Sequence, residues 1–71
     1  MFSLTSQQRA VKDLLIARIA RAGFAPSYRE IADGIGVRST AGVHRIIVAL
    51  EQRGHIERIP GHARAIRIIG D

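Results

Sequence analysis

Apolar side chains recur every three to four positions in the first third of the chain, which is the spacing of one face of an α-helix. The segment from Thr5 to about Ala22 carries this stripe at Val11, Leu14, Leu15 and Ile19. Thr5 is followed three residues later by Gln8, a capping box that satisfies free backbone N–H groups at a helix start. Gly23 suits the left-handed end of the helix, and Pro26 prevents the helix from resuming.

A second, short helix is predicted to begin at a second capping box, formed by Ser27 and Glu30. It extends to about Gly34, and its apolar residues Ile31, Ala32 and Ile35 share one face. We expect Gly34, Gly36 and Val37 to form the tight turn that follows, in which one glycine adopts positive φ. The valine is expected to fill the space between neighbouring helices.

A third helix is predicted after Ser39, which is its natural N-cap. Its inner stripe follows the helical spacing and ends before Gly54, with members Val43, Ile46, Ile47 and Leu50. The residues on the opposite face are small or polar for the first turns, and they are Thr40, Ala41, His44, Arg45 and Val48.

The period changes in the last part of the chain, where β-branched residues dominate from His55 to Ile59 and from Ala65 to Ile69. Pro60-Gly61 between them suits the two central positions of a type II turn. The sequence therefore predicts a terminal β-hairpin.

Within this hairpin, Ile66 and Ile68 alternate with Arg67, so one face is expected to pack inward. Ile56 and Ile59 are out of phase with each other, which predicts a twist or bulge in the first strand. The predicted fold is mainly α with a small β-hairpin. This order of elements is that of a three-helix winged helix-turn-helix domain.

A chain of 71 residues has room for one domain, which we place at 1–71. The absence of cysteine excludes disulfide-stapled scaffolds and zinc fingers. No apolar run is long enough to span a membrane, and no export signal is found at the start. We therefore expect no membrane partner and a location in the cytoplasm, at the nucleoid.

The chain is basic, with 11 Lys plus Arg against 6 Asp plus Glu, a net charge of +5. All but one of these cations are arginine, whose planar fork matches phosphate and guanine acceptors. A nucleic-acid partner is the first hypothesis. The alternative is a GC-rich genome that encodes arginine wherever a solvated cation suffices.

The third helix suits the major groove of DNA, which is about 12 Å wide and admits one helix. Small residues let the helix approach the base edges, and His44 and Arg45 can then reach acceptors such as guanine O6 and N7. Free N–H groups near Ser39 can hold a phosphate.

Four stretches of the chain together resemble the DNA-binding part of LexA repressors, especially their alphaproteobacterial form. These stretches are Leu4-Thr5-Ser6-Gln7-Gln8, Pro26-Ser27 with Glu30-Ile31-Ala32, the run from Arg38 to Ile56, and the wing from Ile59 to Ile66. The departures from the family pattern are at Thr40 and Ala41.

The resemblance implies a winged helix whose third helix contacts operator DNA in the major groove, while the wing contacts the backbone or minor groove. Candidate base contacts are Ser39, Thr40, Ala41, Gly42, His44 and Arg45. Candidate backbone contacts are Ser27, Arg29, Arg38, Arg53, His62 and Arg64, with scattered solubility charges as the alternative for the arginines.

LexA repressors also have a second domain that dimerises and cleaves its own linker with a serine and lysine pair. The only lysine here is Lys12, so self-cleavage is not expected. The chain is then either a free-standing relative, as in a phage or mobile element, or part of a longer repressor. A single DNA-binding module has a small interface with DNA, so two copies are expected to bind two DNA half-sites, as a homodimer on DNA.

Two functions remain open at this point. The first is sequence-specific regulation of transcription at damage-response operators or in a phage programme. The second is a protein-interaction winged helix that binds or competes with a full-length host repressor, or binds RNA polymerase, through apolar residues such as Val48 and Ile69. No cofactor, metal site or enzyme activity is expected, because no nucleophile with a base and no paired carboxylates are found and the histidine spacing matches no metal motif.

Overall fold

The computed structural model of the chain describes residues 4–59 and 66–69. Three helices come first, α1 (Ser6–Ala22), α2 (Tyr28–Ile35) and α3 (Thr40–Gln52). Two strands follow, β1 (Ile56–Arg58) and β2 (Ile66–Ile68), which pair antiparallel. The predicted mainly α fold with a β-hairpin is confirmed, and its element order is that of a winged helix-turn-helix domain.

The starts of the first two helices are held by the predicted side chains. The Thr5 hydroxyl accepts the Gln8 backbone N–H at 3.1 Å, and the Gln8 amide oxygen accepts the Thr5 N–H at 3.1 Å. The box at Ser27 and Glu30 closes in the same way, at 3.1 and 2.8 Å. Both capping boxes are therefore confirmed, and they set where α1 and α2 begin.

A single apolar core holds the three helices and the first strand together. Its members are all essentially inaccessible to solvent, and they are Val11, Leu15, Ala25, Ile31, Ala32, Val43, Ile47, Leu50 and Ile56. Most of these residues belong to the predicted helical stripes, and no polar side chain among the described residues is buried with them. Since α3 packs on both α1 and α2, its opposite face is left for solvent or a ligand.

Gly34 lies inside α2 and not in the turn after it, which corrects the expectation from sequence. A Cβ placed on Gly34 would lie 2.9 Å from Leu14 Cδ2 on α1. The residue therefore allows α1 and α2 to approach closely. The turn itself is made at Gly36, with φ of 78°, and Val37 packs against the core as expected.

The hairpin has a regular register over three residue pairs, with Ile56 opposite Ile68 and Arg58 opposite Ile66. The expectation of a bulge in the first strand is therefore wrong for these paired residues. Ile59, whose phase differs from that of Ile56, lies beyond the end of the strand, so both need not share one face of it. The inward and outward alternation predicted for β2 is confirmed, since Arg67 is exposed between two half-buried isoleucines. The predicted Pro60-Gly61 turn lies outside the described residues.

The start of the hairpin is joined to α1 by a polar contact that the sequence did not predict. Lys12 Nζ lies 3.0 Å from His55 Nδ1, a hydrogen-bonding distance, and both side chains are half-buried. The His55 carbonyl also accepts the Ile69 N–H at 2.9 Å. The contact with Lys12 joins the start of the hairpin to α1, whereas the bond to Ile69 extends the pairing of the two strands by one step.

Replacing Gly36 with alanine is expected to lower the free energy of unfolding by about 1–2 kcal/mol, the cost of a left-handed backbone for a residue with a Cβ. Gly36 has φ of 78° and open space around a hypothetical Cβ, so the effect comes from the backbone alone. Urea unfolding followed by circular dichroism measures it.

Gly42→Ala is the matched control, because Gly42 lies within α3 and its added Cβ would also meet nothing within 4 Å. There the same change is expected to stabilise the domain by about 0.5–1 kcal/mol. Equal effects at both positions would contradict the assignment of the turn to Gly36.

Candidate nucleic-acid interface

The first turns of α3 present most of the predicted base-contacting side chains to solvent. Ser39, the N-cap, accepts the Gly42 N–H at 3.4 Å, and Gly42 itself is half-buried. The other members of this set are exposed, and they are Ser39, Thr40, Ala41, His44 and Arg45. Because Val43 and Ile47 anchor the opposite side of the helix, this row of residues has a fixed orientation on the surface.

The turn between α2 and α3 is braced by Arg29. Its guanidinium donates to the carbonyl oxygen of Arg38 at 3.4 Å and lies 3.7 Å from the Asp33 carboxylate, one helical turn along α2. The Asp33 pair is well exposed and contributes little to stability. Arg29 and Arg38, both predicted backbone contacts and both exposed, are therefore brought together beside the N-terminus of α3.

The guanidinium groups of Arg38 and Arg45 have no carboxylate partner within residues 4–59 and 66–69, and both are exposed. The same end of α3 carries the free N–H groups and the positive end of the helix dipole. The surface from Arg38 to Arg45, which we call the α3 face, therefore offers positive charge and hydrogen-bond donors to an anionic ligand.

An aromatic contact joins the start of α2 to this face. The ring centroids of Tyr28 and His44 are 5.9 Å apart with planes inclined at 46°. This separation lies within the range of favourable aromatic pairs. Tyr28 is half-buried and packs against the core, whereas His44 is exposed.

The hairpin is connected to α3 by an ion pair that lies close to Tyr28. Arg58 donates from Nε to Glu51 Oε1 at 3.0 Å, and its Nη2 lies 2.9 Å from the same oxygen. The hydrogen bond from Arg58 lowers the pKa of the Glu51 carboxyl. In return, the pKa of the Arg58 guanidinium is raised, mainly by Glu51 and to a smaller extent by the Tyr28 side chain. Glu51 and Arg58 thus link α3 and β1.

The remaining predicted backbone contacts fall in different places. Ser27 is half-buried at the start of α2, next to Tyr28, and its hydroxyl serves as the helix cap. Arg53 lies at the other end of α3, about 20 Å from Ser39 at 1.5 Å per residue, and it donates to Gln8 Oε1 at 2.9 Å. Its contact with DNA stays a prediction, separate from the α3 face. His62 and Arg64 lie outside the described residues.

The sequence did not single out Tyr28, Glu51 or Arg58. A tyrosine directly after the capping residue Ser27 was a signal, because an aromatic ring at the start of a helix needs a surface to pack on. Val48, which was expected to be exposed, is half-buried, whereas Ile69 is 42% exposed.

Replacing Glu51 with glutamine is expected to lower the unfolding midpoint at neutral pH and to have no effect in strong acid. The pKa of Glu51 is lowered in the folded state, so the stabilisation is complete above the unfolded value of about 4.3 and is lost as the pH falls through the folded value. Thermal unfolding of both proteins at about pH 7 and about pH 2 measures the difference. A difference that persists in acid would show that Glu51 acts through packing and not through its charge.

Within the described residues, no helix combines the length and the apolar character needed to cross a membrane. The same part of the chain contains no group of three or more His, Cys, Asp or Glu side chains placed to hold a metal ion.

The chain is similar in sequence to known DNA-binding proteins. It matches the family described as the LexA DNA binding domain over residues 1–65. It is 44% identical over 66 residues to a LexA repressor of Cereibacter sphaeroides, an alignment that covers 93% of this chain and 29% of that protein. The chain thus spans less than a third of the length of this relative.

Proposed function

The chain belongs to the LexA DNA-binding domain family, and from this premise we propose that it regulates transcription by binding specific sequences of double-stranded DNA. The DNA-binding character follows from the family. The sequence specificity, the contacts and the direction of regulation are our proposal. Since the relative is named a repressor, we assign repression to this chain as well.

The observation that carries the proposal is the exposure of the α3 face on a helix whose other side is buried. Ala41 is small enough to let the helix approach a groove floor, and His44 and Arg45 extend beyond it. Arg45 can donate two hydrogen bonds to guanine O6 and N7, the commonest specific contact of an arginine with DNA. Arg38 and the N-terminus of α3 then lie where a phosphate would flank the bases.

The size of the domain supports binding in pairs. A single module buries about 600–1,000 Å² on DNA, whereas tight specific binding generally uses larger or dimeric interfaces. We therefore propose that two copies occupy two half-sites roughly one helical turn, about 34 Å, apart. The domain would then act at the nucleoid, where its operators are.

Selection of bound duplexes from a random pool tests this function. A binder of specific sequences is expected to enrich one motif, repeated at a constant spacing if two copies bind together. Sedimentation of the enriched duplex with excess protein then counts the bound copies. A pool that stays random after several rounds would overturn specific recognition, and one bound copy at saturation would overturn pairing.

The residue that favours a second candidate function is Ile69, which directly follows β2 and has a 42% exposed side chain. This side chain offers an apolar contact to a protein partner such as a full-length repressor or RNA polymerase. Val48 gives less support than expected, because it is half-buried. Failure of the DNA selection together with co-sedimentation of purified RNA polymerase or a full-length repressor would favour this function.

A further inference from the structure

Tyr28 touches the α3 face without belonging to it. Its ring packs beside that of His44, which is one of the two long side chains expected to reach the bases. Resting on the proposed function, we propose that Tyr28 is a positioning residue that fixes the orientation of the His44 imidazole and thereby sets the preference at one base pair of the operator.

The His44 side chain is exposed, and its ring lies beside that of Tyr28. An imidazole on the surface of a helix samples several rotamers and presents different ring edges to solvent. A neighbouring ring 5.9 Å away and inclined at 46° favours the rotamers that keep the two rings together. The contact therefore reduces the conformational freedom that His44 would lose on binding DNA.

Tyr28 is suited to this role because it is itself held in place. It is the first residue of α2, directly after the Ser27 cap, and it packs against the core. The ring is thus held by its packing against the core and by its place at the capped start of α2.

Ring orientation matters because the two nitrogens of a histidine have different roles. In neutral imidazole one nitrogen donates and the other accepts, so the edge that faces the groove decides which base atoms can be bonded. Adenine and guanine offer different acceptors and donors there. A histidine with a fixed ring therefore discriminates between base pairs better than one that rotates freely.

The test uses the duplex selected by the wild-type chain and its single-base variants, with dissociation constants measured for each. His44→Ala is expected to reduce discrimination at one base pair. Tyr28→Leu keeps an apolar side chain against the core but removes the ring, and it is expected to reduce discrimination at the same base pair by about two- to twelvefold. The double variant is expected to lose no more discrimination at that base pair than His44→Ala alone.

Tyr28→Phe is the matched control, because it retains the ring and removes only the hydroxyl. It is expected to keep the wild-type preference. The proposal is overturned if Tyr28→Leu weakens all duplexes by the same factor, relaxes a different base pair or changes nothing. It is also overturned if His44→Ala relaxes no base pair.

A measurement on the free wild-type protein covers the case in which Tyr28→Leu does not fold. Nuclear Overhauser effects between the ring protons of Tyr28 and His44 are expected, and their absence would overturn the proposal. Failure of the proposed function is distinguishable, since the wild-type chain would then select no motif. If the wild-type chain selects a motif, and His44→Ala relaxes the preference at one base pair while Tyr28→Leu does not, only the proposed role of Tyr28 is overturned.

Discussion

Replacing Ile47 with alanine is expected to lower the free energy of unfolding by about 2–5 kcal/mol, the usual cost of truncating a buried isoleucine. Ile47 is inaccessible to solvent at the centre of α3, where the helix packs into the core. The total stability of a small domain is about 5–15 kcal/mol, so much of it would be lost. Denaturant unfolding measures the change, and DNA affinity is expected to fall with the folded fraction.

Val48→Ala is the control for this prediction, because Val48 is the next residue along the same helix and is only half-buried. Its truncation is expected to cost less than half as much. A loss at Val48 as large as that at Ile47 would show that both sides of α3 are structural. The assignment of its outer face to a ligand would then be wrong.

Replacing Arg45 with alanine is expected to cost about 1–3 kcal/mol of discrimination at one base pair of the selected duplex. Arg45 is exposed on the α3 face and has no carboxylate partner within the described residues, so nothing in the protein competes for its guanidinium. Fluorescence anisotropy with the selected duplex and its single-base variants measures the effect.

Arg9→Ala is the matched control, since it removes the same charge from an exposed position on α1. It is expected to weaken binding to all sequences by a similar small factor, because it changes only the general attraction for phosphate. If Arg45→Ala behaves in the same way, Arg45 contacts the backbone and not a base.

Local chemistry made most of the fold predictable from the sequence. The capping boxes at Thr5 and Ser27 fixed two helix starts, and the stripe through Val43 and Ile47 identified the buried side of α3. These signals lie within a few residues of one another, so they can be recognised without knowledge of the tertiary structure.

The expectation for Gly34 and the contacts that the sequence did not predict concern residues that are distant in sequence and meet in the fold. Gly34 was expected in a turn because glycine favours turns. In the structure, the position needs a residue without a side chain because Leu14 approaches it from another helix. The contacts of Tyr28 with His44 and of Arg58 with Glu51 also join separate elements. Composition and spacing carry no information on which side chains meet across the packed helices, so this part of the site needed the structure.

The most direct test of recognition through the α3 face is a map of amide chemical-shift changes as the selected duplex is added to the isotope-labelled chain. The largest changes are expected from Ser39 to Arg45, with smaller ones at Tyr28 and Arg29. Changes concentrated on the exposed side of α1, with the start of α3 unaffected, would contradict the assignment of this face to DNA.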